Sequence, residues 1–379
     1  MEKTIELKHG DNKAVIAISK ELKRDDYGRD TFTKVLKSIS NAYLKEYVKE
    51  KYEEYEKIGF PVWKRTNIEN FNLLSYEYKQ YFDTLDKSGV ELLKKLDFDG
   101  SHRKFVLLSD VFSFEGDYIV IEDDKLIKKE YGQTISNDLI HVKKGSLTLI
   151  RILRPEMFSN HTTRILVSEG ASLTVYNIHE VHGNSYHFDN VFIEVEEKAN
   201  VKVRDFYAGS GVSVGYFGVK MSGKEANVDL KPYFIGTGNG RFDLLYMLRF
   251  VGMENTGVIK AEGTLANNSK LVFRGILDLK KGAKNSVAEE SEKAILLSKD
   301  AKMEAIPSLW VDENEVTASH AASSAPLDDN AIFYLMSRGF SKDEAKRYII
   351  EGIYEELIQE LKKYGLEGMV ENALKGVVG

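Results

Sequence analysis

A repeated strand–turn–strand pattern is the feature that most constrains this chain. From about Arg103 to Val311, short runs rich in Val, Ile, Leu, Phe and Tyr are interrupted by similar turns, such as KGS, EGAS, EKAN and KEAN. The hydrophobic residues that follow these four turns are separated by 26, 28 and 27 positions, at Leu147, Leu173, Val201 and Val228. A period near 27 with a half-period near 14 predicts a β-solenoid, in which each coil lies on the previous one. An antiparallel sandwich stays open, because its turns also recur about every 8–12 residues.

Helical patterns flank the repeat on both sides. On the N-terminal side, apolar residues at every fourth position predict one amphipathic helix, at Val35, Ile39, Tyr43 and Tyr47. Gly59 and Pro61 would end this helix, and a second helix is expected near Tyr76–Leu96. We therefore expect an N-terminal helical region at residues 1–100, a β-helix core at 101–311 and a C-terminal helical domain at 312–379.

The C-terminal region carries clear helix boundary signals. Asp328 can cap one helix, which Gly339 would end, and Ser341 with Glu344 forms a capping box for the next. The second helix presents a wide apolar stripe, formed by Ile349, Ile353, Leu357 and Leu361 with Ile350, Tyr354 and Ile358 beside them. So much apolar surface must cover either the β region or a partner.

Composition excludes several classes of protein. The 379 residues carry a net charge of −6, which argues against a nucleic-acid binder. No apolar run is long enough to cross a membrane, and the first residues lack the apolar segment of a secretion signal, so we expect a cytoplasmic protein. The chain has no cysteine, which excludes disulfides, thiolate nucleophiles and Cys-ligated metal sites within it.

Histidines provide the candidate ligands. His320 lies in EVTASHAASSAPLDD, where the β region gives way to helices, and its small neighbours leave the imidazole accessible. A second group, formed by His179, His182 and His187, lies in NIHEVHGNSYHFDN. Its spacing is not that of HExxH, and we interpret this segment as a solvent-exposed loop.

Two glycine-rich stretches, AGSGVSVGYFG and IGTGNGRFD, do not form a phosphate-binding loop. Neither contains GxxxxGK[ST], and neither is followed by a helical pattern. Gly236, Gly238 and Gly240 are expected to shape a tight turn of the solenoid instead. No catalytic triad or carboxylate pair stands out, so the residues alone do not predict an enzyme.

From about Gly263 onward, an ordered series of motifs points to one family. The motifs are LVFRGILDL, KKGAKNS, AILLS, EAIPSLW, EVTASH, FYLMSRG and KDEAKRYIIEG. In this order they resemble the SufB/SufD family of the SUF iron–sulfur cluster assembly system. The resemblance is dense from Gly263 to the end of the chain and weak before it.

The resemblance implies a fold and partners. Family members have a right-handed parallel β-helix core between N-terminal and C-terminal helical regions, and they form dimers through the core, with a SufB/SufD-type paralogue or with a second copy. Their C-terminal helices dock the SufC ATPase of the ABC type. The matching segment runs from Asp328 to Leu361, and the residues that we expect to contact SufC are Asp328, Phe333, Tyr334, Leu335, Arg338 and Gly339.

The resemblance also marks His320 as a candidate ligand for iron or a cluster at the dimer interface. Other positions depart from the SufB pattern: Glu292 stands at about the position of the scaffold thiol, Ala321 replaces an acid after the histidine, and Trp310 replaces another acid. The chain is therefore SufD-like. No cofactor is expected to be tightly bound, and a transient iron ion or cluster would need thiolate ligands from another subunit.

We therefore expect a non-enzymatic SUF subunit that docks SufC, whose ATP-driven movement would reshape the dimer interface and expose His320. Two alternatives stay open on the sequence. One is a carbohydrate-active enzyme built on a β-helix, and the other is a purely structural solenoid without a metal role.

Overall fold

The computed structural model describes residues 2–9, 12–20, 26–66, 68, 71–75, 82 and 84–378; for 2–9, 12–20 and 378 it describes the backbone alone. The helices are α1 Arg29–Ser38, α2 Ala42–Tyr55, α3 Lys87–Lys95, α4 Arg103–Phe112, α5 Asp329–Ser337, α6 Lys342–Lys362 and α7 Glu367–Val378. No helix in these residues is both long enough and apolar enough to cross a bilayer.

The described residues include nineteen strands. An antiparallel pair, β1 Glu2–His9 and β2 Asn12–Lys20, precedes the helices. The others are β3 Tyr118–Ile121, β4 Lys125–Tyr131, β5 Ile135–Val142, β6 Ser146–Leu153, β7 Phe158–Val167, β8 Ser172–Val181, β9 Tyr186–Val195, β10 Asn200–Gly209, β11 Val212–Met221, β12 Asn227–Gly236, β13 Arg241–Phe250, β14 Thr256–Leu265, β15 Lys270–Leu279, β16 Ser286–Leu296, β17 Lys302–Ala305, β18 Ser308–Val311 and β19 Val316–Ala325.

Strands β3 to β19 form a parallel β-solenoid. Even-numbered strands from β4 to β16, followed by β19, form one sheet of eight strands, and odd-numbered strands from β3 to β17 form the other, where β18 also pairs with β15. Every pairing in the two sheets is parallel. The predicted β-helix is confirmed, and the antiparallel sandwich is wrong.

The repeat in the sequence corresponds to the register between successive coils of the solenoid. Leu147 pairs with Leu173, Leu173 with Val201, and Val201 with Val228 on successive coils. All four side chains are buried in the same interior core. The 26- to 28-residue spacing is therefore the length of one coil, because it brings each residue back over its predecessor.

The turn between β12 and β13 needs glycine for a conformational reason. Gly238 has φ +54°, in the left-handed region that favours glycine, and Gly240 closes the turn by donating its N–H to the Thr237 carbonyl at 2.9 Å. The prediction that this glycine-rich stretch shapes a solenoid turn is confirmed.

The N-terminal helices differ from the predicted single helix. The chain leaves the helical conformation at Ile39, and Asn41 starts a new helix by accepting hydrogen bonds from the N–H groups of Tyr43 and Leu44. Asn and Ser side chains compete with helical backbone bonds, and this explains the break. The second predicted helix begins only after Asp86, which caps α3, and residues 76–81 and 83 of the prediction lie outside the described residues.

The C-terminal helices follow the predicted boundaries. Asp328 accepts a hydrogen bond from the Asn330 N–H, Gly339 has φ +99°, and the Ser341–Glu344 capping box is formed. The apolar stripe of α6 packs on the eight-stranded sheet, through Ile350, Tyr354, Leu357 and Leu361. The sheets run to Ala325. The range 312–379, which we expected to be a helical domain, therefore includes β19, and the range 101–311, which we expected to be the β-helix core, includes α4.

The histidine-containing segment at residues 179–187 is not the exposed loop that we expected. His179 lies on β8 and His187 on β9, and both side chains are completely buried inside the solenoid. Of the three histidines, only His182, in the turn between these strands, is exposed. The prediction was wrong because a solenoid interior can bury a polar side chain wherever a neighbouring coil supplies its hydrogen-bond partner.

Candidate functional site

His320 lies on β19, the last strand of the eight-stranded sheet. This strand pairs with β16 on one side, and His320 stands directly opposite Glu290. No other described strand pairs with the outer edge of β19, and nearly all of its side chains are exposed. The end of the solenoid is therefore open at this strand.

Strand β16 brings two carboxylates under this open end. Ala288, Glu290, Glu292 and Ala294 alternate with more exposed residues, so they share the face that points into the solenoid. Glu290 is only 3% exposed and Glu292 only 2%. Because residues opposite each other in a parallel ladder project to the same face, His320 lies on the inward face as well, uncovered by any further coil.

The two carboxyl groups have few hydrogen-bond partners. Among the described residues, none of their four oxygens makes a hydrogen bond of ordinary geometry, and their weaker contacts are with each other and between Glu292 and the Gly275 backbone. Burial raises the pKa of both Glu290 and Glu292, and the closeness of Glu290 raises that of Glu292 further. Two buried carboxyl groups in this position hold at least one proton between them at neutral pH.

Gly275 makes room for this pair. A Cβ atom at this position on β15 would lie 2.4 Å from Glu290 Oε1 and 2.6 Å from Glu290 Cδ, which is closer than atoms can approach. The absence of a side chain at Gly275 therefore lets the carboxylate enter the interior. Carboxylate oxygens and an imidazole nitrogen are donors that suit ferrous iron and similar divalent ions.

Sequence reasoning identified only part of this site. It singled out His320, and it noted Glu292 only as the residue in place of a thiol. It missed Glu290, although SVAEESEKAIL places both acids in phase with Ala288 and Ala294, which is the phase of an inward-facing column. Trp310 lies on β18 in the opposite sheet and is partly buried.

Helix α5, which follows β19 in the chain, carries an exposed apolar surface. Only Ile332 of this helix is buried. Phe333 is 73% exposed and Tyr334 is 57% exposed, and further exposed side chains follow as far as the first turns of α6. We call this set the α5 patch; its members are Phe333, Tyr334, Met336, Phe340 and Tyr348. A contiguous apolar surface of this kind is typical of a protein interface.

The structure separates the six residues predicted to contact SufC by their local roles. Phe333, Tyr334 and Arg338 are exposed, and the Arg338 guanidinium lies over the Tyr334 ring at 5.2 Å. Leu335 is partly buried. The remaining two, Asp328 and Gly339, form the boundaries of the helix.

The fold and the site are those of a parallel β-solenoid with terminal helices and an open last coil. Residues 126–353 match the family described as the SUF system FeS cluster assembly SufBD core domain. This stretch is more than half of the chain, and the chain therefore belongs to the SufBD family.

Individual relatives agree with this assignment. An iron–sulfur cluster assembly protein SufD of Bacillus subtilis is 31% identical over 147 residues, which is 39% of this chain and 34% of the relative. A SufBD family protein of Mycobacterium leprae is 26% identical over 232 residues, or 60% of this chain and 27% of the relative. Another, from Pyrococcus horikoshii, is 28% identical over 37% of this chain and 31% of the relative. The matched part thus spans about a third or less of each of these relatives.

Proposed function

We propose that this chain is a non-enzymatic scaffold or partner subunit of a SUF-type iron–sulfur cluster assembly complex. The observation that carries the proposal is the open last coil, where a ten-residue strand without a partner on its outer edge among the described strands lies over two buried carboxyl groups. A regular strand with an unpaired edge favours pairing with another chain. The second chain is a SufB/SufD-type paralogue or a second copy of this one.

The α5 patch is the proposed docking surface for a SufC-like ATPase. Its aromatic side chains are the residue types that contribute most to protein interfaces. Nothing else in the described part of the chain covers them, since they are exposed while the neighbouring α6 is anchored to the sheet. Family membership supports this assignment, because members are named as SUF assembly proteins.

The anchoring of α6 offers a route from the docked ATPase to the open end. The Tyr354 hydroxyl is within 2.9 Å of both the Thr264 hydroxyl on β14 and the Phe234 carbonyl on β12. On the same helix, Glu360 contacts Arg204 of β10. Movement of α5 would therefore act on the sheet that ends in β19. His320 is already exposed in the single chain, so the movement would alter the pairing across β19 and not uncover a buried histidine.

The docking test uses two aspartate substitutions of the α5 patch. We expect Phe333→Asp and Tyr334→Asp, each in the full chain, to abolish co-purification with SufC, because each places a charge in an interface that requires apolar contact. Tyr43→Asp is the matched control, since Tyr43 is a comparably exposed tyrosine on α2 at 54%. Unchanged complex formation by both patch variants would refute the docking assignment.

Ferrous iron is the proposed cargo of the open end, where His320 stands opposite Glu290 and Glu292 follows on the same inward face of β16. The site supplies oxygen and nitrogen donors only, so a cluster bound here would need thiolates from the second chain. Under anaerobic conditions we expect His320→Ala to weaken Fe²⁺ binding by about tenfold or more, and His182→Ala, an exposed histidine in a distant turn, to leave it unchanged. Equal binding by wild type and His320→Ala would exclude His320 as a ligand.

A further inference from the structure

A second group of potential ligands lies inside the middle coils, away from the open end. His179 on β8 and His187 and Asp189 on β9 face each other across one coil, whose two strands are joined by a short turn. Their donor atoms all lie within 4.8 Å of one another, and all three side chains are buried. This group uses none of the residues of the proposed iron site.

The hydrogen bonds of the two imidazoles leave one nitrogen without a partner. His179 Nδ1 and His187 Nε2 are 2.8 Å apart, and His187 Nδ1 is 2.8 Å from the Ser159 hydroxyl. His179 Nε2 has no hydrogen-bond partner and lies 4.0 Å from Asp189 Oδ2. A completely buried imidazole nitrogen without a partner is costly, because it has lost the hydrogen bond that water would provide.

The contact between the two imidazoles shows that a lone pair is available. In the hydrogen bond between His179 Nδ1 and His187 Nε2, one nitrogen donates its proton and the other accepts it with a lone pair. An imidazole with a free lone pair is the form that binds metals. For both of the bonded nitrogens to bind one tetrahedral ion, the proton between them moves to the unpartnered His179 Nε2, and the two rings turn until their lone pairs converge, with the nitrogens about 3.3 Å apart.

Arg151 holds the carboxylate of Asp189 in its ionised form. The guanidinium donates two hydrogen bonds to Asp189, at 2.7 and 3.0 Å. Such a paired contact from a guanidinium to both oxygens favours the ionised carboxylate. Each carboxylate oxygen retains a second lone pair, and ligating carboxylates commonly accept such hydrogen bonds.

A neighbouring carboxyl group can balance the charge of a bound cation. Asp205 on β10 accepts a hydrogen bond from Asn177 at 2.6 Å, and Asn177 also contacts Arg151. Burial raises the pKa of Asp205 to about 7, so this group can lose its proton when a positive charge arrives nearby. Asp205 would thus offset one of the two positive charges of a divalent ion, since Arg151 already balances the charge of Asp189.

We propose that His179, His187 and Asp189 bind one divalent transition-metal ion, of the class of Zn²⁺, Co²⁺ and Fe²⁺, inside the solenoid. Two imidazoles and one carboxylate form a donor set that these ions favour. The site is enclosed by the coils, so it would fill while the chain folds and would stabilise the middle of the solenoid. It is a structural site, and it does not depend on the proposed role in cluster assembly.

The test uses Co²⁺ as the probe, in a His320→Ala background that removes the histidine of the open end. The full chain is unfolded in denaturant with a chelator and refolded with or without Co²⁺, and excess metal is removed. We expect one retained Co²⁺ per chain, visible absorption typical of tetrahedral cobalt, and a higher Tm than that of the metal-free protein. Co²⁺ added after folding should not be retained.

Substitutions locate the ion. His179→Gln and His187→Gln should each reduce retained Co²⁺ to below about a tenth of an equivalent, whereas His141→Gln should retain it, since His141 is a half-buried histidine that contacts Ser168 instead. Retention that is unchanged in both site variants would overturn the proposal. Should these variants fail to fold, the parent protein still decides, because a refolded chain that retains no Co²⁺ refutes the site outright.

Discussion

Replacing Glu292 with glutamine should stabilise the protein while weakening its proposed function. Glu292 is 2% exposed, and neither its oxygens nor those of the neighbouring Glu290 make a hydrogen bond of ordinary geometry. In Glu292→Gln, the new amide can donate a hydrogen bond to the Glu290 carboxylate. The substitution also removes one of the two neighbouring acids, each of which makes ionisation of the other less favourable. A buried polar group without a partner costs about 1–3 kcal/mol. We therefore expect an increase in Tm of about 2–6 °C at neutral pH.

The pH dependence identifies the cause of this gain. Because the pKa of Glu292 is higher in the folded than in the unfolded chain, the folded state binds its proton more tightly, and the wild type loses stability as pH rises above about 4.3. The glutamine variant lacks this loss. The difference in Tm should therefore be small well below pH 4.3, where Glu292 is protonated in both the folded and the unfolded chain, and should grow toward neutral pH.

Thermal unfolding of wild type and variant across this pH range measures the effect, and Glu289→Gln is the matched control. Glu289 is the exposed neighbour on the same strand, so its substitution should change Tm by little at any pH. The same Glu292→Gln protein should bind Fe²⁺ about tenfold or more weakly. A variant that is no more stable than wild type at neutral pH, or a gain that does not vary with pH, would show that the buried carboxylates are not under strain.

Two further substitutions test the fold around the site. Tyr354→Phe should lower the free energy of unfolding by about 1–3 kcal/mol, because the buried Thr264 hydroxyl and the Phe234 carbonyl would lose their contact with the tyrosine hydroxyl. Chemical denaturation measures this change, and an unchanged midpoint would contradict the anchoring of α6. Gly238→Ala should lower the free energy of unfolding by about 1–2 kcal/mol, since an L-residue is strained at φ +54° and its Cβ would lie 3.1 Å from Ser210 Cβ. Gly132→Ala, where a Cβ would meet nothing within 4 Å, is the control in the same measurement.

The sequence predicted the solenoid because its periodicity is a direct record of the register. Leu147, Leu173, Val201 and Val228 occupy equivalent places after equivalent turns, and these places are the ones that stack. Helix boundaries at Asp328 and Ser341 were also predictable, because capping depends on residues only a few positions apart. The break between α1 and α2 was missed because a four-residue apolar spacing outweighed the capping signal of Asn41.

The two candidate ligand sites were less predictable because each depends on contacts between coils. Glu290 and His320 are 30 positions apart in sequence and meet only through the parallel register of β16 with β19. The stretch around His179 looks like a polar loop, since hydropathy records the character of a side chain and not what faces it across the coil. Sequence reasoning had no means to place Arg151 against Asp189, which lie on different coils and on opposite sheets.

The two candidate ligand sites differ in how their carboxylates are paired and enclosed, and this difference suggests a different role for each site. In the middle coils, Asp189 is bonded to Arg151 and enclosed on every side by the described strands, which suits an ion that is acquired once and kept. At the open end, the carboxylates of Glu290 and Glu292 have no such partner and lie under an exposed histidine. A ligand pair that is destabilised when empty and reachable from solvent suits an ion that must be both taken up and released. The free edge of β19 places that exchange where a second chain would pair.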